Sequence, residues 1–175
     1  YNIIFKQKNV FLHCLRMTHM LSKSSNMIKV ALFQPDIPQN TAAIIRLCAC
    51  FGCELQIIGP CGFFLDNKNF KRITMDYKKK CKIKSFTSFD DFKNQKNIKR
   101  IILMTTKAKK KYFNFNFKPT DIILFGRESS GVPQIVHQVA NERLVIPIQK
   151  NTRSLNIVTS VSIALSEALK QNSLL

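Results

Sequence analysis

Three short stretches of the chain carry side chains suited to gripping anions and turning loops toward a ligand. They are Pro35-Asp36-Ile37-Pro38-Gln39-Asn40-Thr41-Ala42-Ala43-Ile44-Ile45-Arg46, Phe125-Gly126-Arg127-Glu128-Ser129-Ser130-Gly131, and Thr152-Arg153-Ser154-Leu155-Asn156-Ile157-Val158. A guanidinium such as that of Arg46 hardly ever loses its proton, so its easier role is a bidentate grip on phosphate. Gly126 and Gly131 carry no Cβ, which lets the main chain of their loop come close to a ligand. An ordinary strand-to-helix turn has the same composition. Ser154 and Asn156 are helix-capping types taken singly. Together, at this spacing, they also suit a site.

The elements that must position these residues read as alternating strands and helices. Ile28 to Phe33, Glu54 to Ile58, Cys81 to Phe86, Ile101 to Thr106, Asp121 to Phe125 and Arg143 to Ile146 are short apolar runs of strand type. Asn40 is expected to cap a helix from Thr41 to about Phe51, stopped by Gly52, with Ile44, Ile45, Leu47, Cys48 and Phe51 on its packed face. Arg46 lies off that face. Asp66 to Tyr77 is a basic stretch holding Lys68, Lys71 and Arg72, and Ser88 is expected to cap a helix with Asp90 and Asp91 in its first turn. Pro133 should open another helix. The last helix runs from Leu155 to about Lys170 and is apolar on more than one side, which suits burial against both its own core and a partner. Lys107 to Lys118 interleaves lysines with Tyr112, Phe113, Phe115 and Phe117, a composition for stacking bases, although the alternation also fits a half-buried strand edge. This α/β pattern argues for one domain with a mostly parallel sheet flanked by helices.

The chain has 175 residues and a formal charge of +18, from 28 Lys and Arg against 10 Asp and Glu. Such charge suits a polyanion partner through phosphate neutralisation, though coding bias toward Lys and Asn gives the same sign. No apolar run is long enough to span a bilayer. The six cysteines match no paired metal framework, so no metal site is expected, and free thiols suggest a reducing compartment. No G-x-G-x-x-G follows a strand, which argues against a dinucleotide fold. Residues 1–26 carry Lys6, Lys8, Arg16 and Lys23 without an acid. They read as an extension, either upstream of a true start at Met27 or, more weakly, an organelle-targeting leader.

The three stretches, in this order and spacing, resemble the SPOUT superfamily of methyltransferases. Within it they resemble the SpoU branch, and best the small TrmL-type enzymes that methylate the wobble ribose of tRNA. The likeness runs from Met27 to about Lys170. It implies a C-terminal trefoil knot, S-adenosylmethionine as cofactor, tRNA as substrate, cytoplasmic location, and a homodimer paired through the first and last helices. It also implies roles: Arg46 and Asn40 at the target ribose, with Ser154 and Asn156 completing the catalytic set. The main chain at Met104, Gly126 and Ile146, with Ser154, would hold the cofactor. Glu128, Lys71, Arg72 and Arg153 would face the substrate.

Two departures stand out. Ala42 replaces the usual Gly, and Ser166 replaces a Tyr ahead of Glu167 that contributes to activity in that group. They keep a non-catalytic RNA-binding relative in play, alongside a methyltransferase of ribosomal RNA.

Overall fold

The computed structural model describes residues 27–96 and 98–174, so the reading of residues 1–26 lies outside the described residues. In chain order the elements are β1 (Lys29–Phe33), α1 (Pro38–Phe51), β2 (Glu54–Ile58), α2 (Lys68–Thr74), α3 (Tyr77–Lys80), β3 (Ile83–Phe86) and α4 (Phe89–Lys93). There follow β4 (Arg100–Met104), β5 (Lys110–Lys111), a 3-10 turn (Tyr112–Asn114), β6 (Asp121–Phe125), α5 (Gln134–Val139), β7 (Glu142–Val145) and α6 (Ile157–Gln171). The strands form one seven-stranded sheet in the order β3-β2-β1-β6-β4-β7-β5. Every pairing is parallel.

A parallel sheet is covered on both faces, and the two-residue period of each strand divides its side chains between them. Val30 and Leu32, Ile102 and Met104, and Ile123 and Phe125 join one core with α1, α2 and α6. Their neighbours Ala31 and Phe33, Ile101 and Leu103, and Ile122 and Leu124 join the other, under Phe92 of α4 and Val136 of α5. The central strands therefore read as unbroken apolar runs.

Several local expectations change. α1 begins at Pro38, with Ile37 at its cap position, so Asn40 lies inside the first turn and does not cap it. Pro38 has no N–H to leave unsatisfied there, which makes the earlier start favourable. The basic stretch is two short helices, parted at Met75, whose φ is 49°. Ser88 caps α4 as expected, accepting from the Asp91 N–H at 3.1 Å. The Phe113, Phe115, Phe117 alternation is mainly structural. Phe115 and Phe117 are buried with ring centroids 4.9 Å apart, while Phe113 is exposed. The end of α6 pins this segment, because Gln171 accepts from the Phe117 N–H at 2.9 Å and donates to the Phe115 carbonyl at 3.0 Å.

The described cysteines Cys48, Cys50, Cys53, Cys61 and Cys81 are free. Cys53 is pushed up to about 12 by burial and then by Cys81, which makes it an inert core thiol. No helix among the described residues is long and apolar enough to cross a membrane.

One buried ion pair anchors the sheet's centre. Asp121, at the start of β6, is fully buried and takes a two-pronged bond from Arg100 at the start of β4, and Lys118 N–H adds a third donor at 2.8 Å. Removing Arg100 strands a buried carboxylate, which costs far more than the pair contributes. Arg100→Ala is expected to lower stability by about 3 kcal/mol in urea denaturation, with the Arg100→Met, Asp121→Leu double variant regaining much of the loss.

Candidate functional site: a cavity at the strand ends

β1 leads to β2 on one side, while β6 sits on its other side, so the strand order reverses between β1 and β6 and their adjacent ends carry connections that run in opposite directions. A crevice at the carboxyl ends of strands where the order reverses is the usual ligand position in such sheets. Beside it, over the ends of β4, β6 and β7, lies a cavity of about 550 Å³. That size suits a nucleoside-sized ligand. Met104, Phe125, Val145, Ile146 and Leu155 give apolar lining, and Lys107, Arg153, Ser154 and Asn156 add polar groups.

The loop after β6 closes on itself. Arg127 N–H donates to the Gly131 carbonyl at 2.9 Å, and Gly131 N–H returns the bond at 2.8 Å. Gly131 has φ +71°, the left-handed value such a tight loop needs. A Cβ on Gly126 would stand 2.7 Å from the carbonyl carbon of Gly131. The glycine is thus required by the approach of the loop's two ends, besides any approach of a ligand.

Carboxylates join this loop to the first stretch. Glu128 accepts from the Asp36 N–H at 2.8 Å and from Asn40 Nδ2 at 3.1 Å. Asp36 in turn holds Arg127 Nε and the Ser129 hydroxyl and N–H. Asn156 Nδ2 donates to Asn40 Oδ1 at 3.3 Å, while its own Oδ1 caps α6 by accepting from Val158 N–H at 2.8 Å. The three stretches therefore meet in one polar chain, Asp36–Glu128–Asn40–Asn156.

The Asp36 carboxyl is half-buried, which disfavours its charge. Bonds from Ser129 and Arg127 outweigh that burial and hold it below the usual carboxylate range. His137 is buried in the cavity wall and is held below the usual histidine value by burial, then by Lys107 and Arg143.

Of the residues expected at a site, Asn40, Met104, Gly126, Glu128, Ile146, Arg153, Ser154 and Asn156 line this cavity. Arg46, Lys71 and Arg72 do not. Arg46 is exposed on α1, with its guanidinium 4.9 Å from the centre of the Tyr77 ring. Lys71 and Arg72 are exposed on α2. Sequence reading missed the roles of Asp36, Arg127, Ser129, Thr105, Lys107 and His137. Asp36 had a signal, an acid in a proline-stiffened loop at a strand end. His137 had none, standing on an unremarkable helix. Among the described residues no group of three or more His, Cys, Asp or Glu is placed to hold a metal ion.

Residues 27–166 match the SpoU rRNA Methylase family. The chain belongs to this family. A relative from Beijerinckia indica, a tRNA (cytidine(34)-2′-O)-methyltransferase, is 44% identical over 144 residues, covering 81% of this chain and 90% of the relative. A solved structure concerning 2-OH methylation of C/U34 on tRNA superposes with a TM-score of 0.79 at 31% identity, over 86% of this chain and 99% of that one. A putative RNA methyltransferase from Bacillus anthracis gives a TM-score of 0.77 at 33% identity, over 83% and 94%. Of the two departures noted in sequence, Ala42 is buried and packs in the core beside α1's other apolar residues. Ser166 is exposed on α6 and lies outside the cavity of its own chain.

Gly126→Ala is expected to open the Arg127–Gly131 bridge and weaken nucleoside binding at least about tenfold by calorimetry, while the far-UV circular dichroism keeps its native shape. Asp36 has a depressed folded value, so its contribution is full above the unfolded value and is lost as pH falls through the folded one. The stability gap between wild type and Asp36→Asn should stay constant above about pH 5 and close below about pH 4, read as Tm against pH.

Proposed function

We propose that the protein transfers a methyl group from S-adenosylmethionine to the ribose 2′-oxygen of the wobble nucleotide, cytidine or a modified uridine, in tRNA. The observation that carries this reading is the polar chain linking Asn40, Glu128 and Asn156 across a nucleoside-sized cavity. It joins the same three stretches by which the sequence resembles the family. The family as a whole is named for rRNA, but the Beijerinckia indica relative at 44% identity and the solved structure at 31% are described by tRNA position 34. That favours tRNA over ribosomal RNA.

When bound, S-adenosylmethionine supplies an electrophilic methyl carbon. The residues of this chain must hold the ribose oxygen in line with it and ease the loss of one proton. Met104, Gly126 and Ile146 line the cavity, where their main-chain groups suit an adenosyl group, and Ser154 shares that lining. Glu128 already accepts two hydrogen bonds, which fits a role in orienting the loop. Asn40 and Asn156 hold the edge where a ribose would enter, and Arg153 offers a phosphate contact. We read Lys71 and Arg72, exposed outside the cavity, as steering RNA phosphates.

Arg46 is the remaining member of the set. It lies on the exposed face of α1 with Ala43 and Cys50. We assign it to the cavity of a second copy, in a homodimer paired through α1 and α6. Ile37 and Leu155, exposed apolar residues at the starts of those helices and at the cavity mouth, support that pairing. There the guanidinium would grip the phosphate beside the target ribose. The C-terminal chain passes from β7, beyond β4, back to α6 packed against α1 and β6. We read this return path as the family's trefoil knot. Free buried thiols fit a reducing, cytoplasmic setting.

Labelled S-adenosylmethionine with bulk tRNA tests the reading. Nuclease digestion should place the label in a 2′-O-methyl dinucleotide from the anticodon, and Arg46→Ala should reduce it about 100-fold. Cofactor and tRNA binding without label would instead identify a binding relative, the outcome that Ser166 makes worth separating. Mixing Arg46→Ala with Asn156→Ala subunits should restore about one quarter of the wild-type rate if Arg46 serves the partner's cavity, because half the dimers then hold one intact site. No restoration places Arg46 in its own chain's site.

A further inference from the structure

A surface outside the cavity sets an exposed aromatic ring, with no role in the reaction described so far, beside the cations read as steering RNA. Phe64, in the loop between β2 and α2, is 83% exposed, and Met75 at the far end of α2 is 68% exposed. Lys68, Lys71 and Arg72 stand exposed on the helix between them. Among the described residues none of these three cations has a carboxylate partner. A single exposed apolar side chain on a soluble protein is commonplace. An aromatic ring with unpaired cations along the same short loop and helix has a more definite use.

The outward position of Phe64 is built in. Its neighbour Phe63 packs on Phe70 of α2 with ring centroids 5.2 Å apart, and Phe70 is buried. With Phe63 turned inward, Phe64 is left facing solvent. The same loop is tied to the cavity rim. Gly62 N–H donates to the Pro35 carbonyl at 2.9 Å, and a Cβ on Gly62 would come within 3.1 Å of the Asp36 Cα. Asp36 is the residue that holds Arg127 and Ser129 of the cavity loop. The exposed ring is therefore fixed, through two close main-chain contacts, to the wall of the site.

We propose that Phe64 is a stacking platform for an unpaired RNA base beside the target nucleotide, with Lys68, Lys71 and Arg72 tracking the adjoining phosphates. The inference rests on the RNA methyltransferase reading and adds how the enzyme selects single-stranded substrate. Aromatic stacking tolerates any base but requires that base to be unstacked from its neighbours, whereas phosphate contacts alone accept a duplex equally well. The ring thus supplies a preference for loop over helix that the cations cannot supply.

The chain contains no tryptophan, so Phe64→Trp installs a single tryptophan at the platform, excited selectively over the tyrosines. Titration with an anticodon stem–loop RNA should quench its emission, and a blunt RNA duplex of equal length should leave it unchanged. Phe64→Leu keeps an apolar group without a ring, and should weaken stem–loop binding about tenfold while duplex binding and S-adenosylmethionine binding stay at wild-type values. Unchanged stem–loop affinity in Phe64→Leu, with no quenching in Phe64→Trp, overturns the platform while leaving the methyltransferase reading intact. Emission that shifts with protein concentration in the absence of RNA identifies a contact between copies and also overturns it. Failure of the wild-type protein to bind the stem–loop overturns both readings.

Discussion

The grip of the Glu128 carboxylate on Asp36 N–H and Asn40 is the constraint on which the site depends. It spans about ninety residues of sequence, and the parallel pairing of β1 with β6 makes it possible. That pairing sets Leu32 beside Phe125, so the loops leaving the two strands emerge next to each other. Both ends of the contact are stiffened. Pro35 and Pro38 limit the first loop, and the Arg127–Gly131 bridge closes the second. Two rigid loops need only a few hydrogen bonds to hold a fixed relation, because little conformational entropy is left to remove. Asn156 then brings α6 to the same point while capping itself, so one side chain serves helix and site together.

Charge is distributed on a related logic. The chain has few acids, and most are engaged. Asp121 and Glu54 hold basic partners at the sheet, Asp36 and Glu128 hold the loops, and Asp66, Asp90 and Glu142 pair at the surface. Burial opposes the charge of Glu54, but bonds from Lys82 and Gln56 keep its carboxyl below the usual range. With the acids so used, the large positive excess falls on exposed lysines and arginines. Those charges attract a polyanion over a distance of about 8 Å at physiological salt, and most of them do nothing for stability. The basic character is thus a property of the surface, and the fold beneath it is held by apolar packing.

The sequence was most legible where a single physical signal dominated. The apolar runs of the central strands and the Ser88 cap appear much where local chemistry put them, since each depends on neighbours close in sequence, whereas α6 starts at Ile157 under Asn156, two residues past its expected start at Leu155. Asn40 was misread for an instructive reason. Its type suits a cap, but Pro38 starts the helix three residues before Thr41, and the freed amide goes to Glu128 instead. The Lys107 to Lys118 stretch shows the opposite limit. Composition alone could not separate a stacking surface from a strand edge, and burial of Phe115 and Phe117 under Gln171 decides it through a contact more than fifty residues away. The partners of Asp36 could not be read for the same reason, although the acid itself had a local signal. Its partners become neighbours only through the strand order, which no local pattern encodes.

The same reasoning separates the residues gathered at the cavity from Arg46. The cavity floor, its loops and its caps are satisfied within the chain, and their hydrogen bonds leave Glu128, Asn40 and Asn156 already oriented. Arg46 stands apart, resting on Tyr77 across an exposed helix face. A guanidinium stacked on an aromatic ring keeps its in-plane N–H donors free for an incoming phosphate or a second copy. A residue placed to be supplied across an interface needs such a restrained but unspent geometry, because any stronger bond within its own chain would have to be broken first. The cost of breaking a cation–π contact at an exposed site is about 0.5–1 kcal/mol, small beside a charge-assisted bidentate bond. The contact with Tyr77 is therefore a small obstacle to the role proposed for Arg46 at the cavity of a second copy.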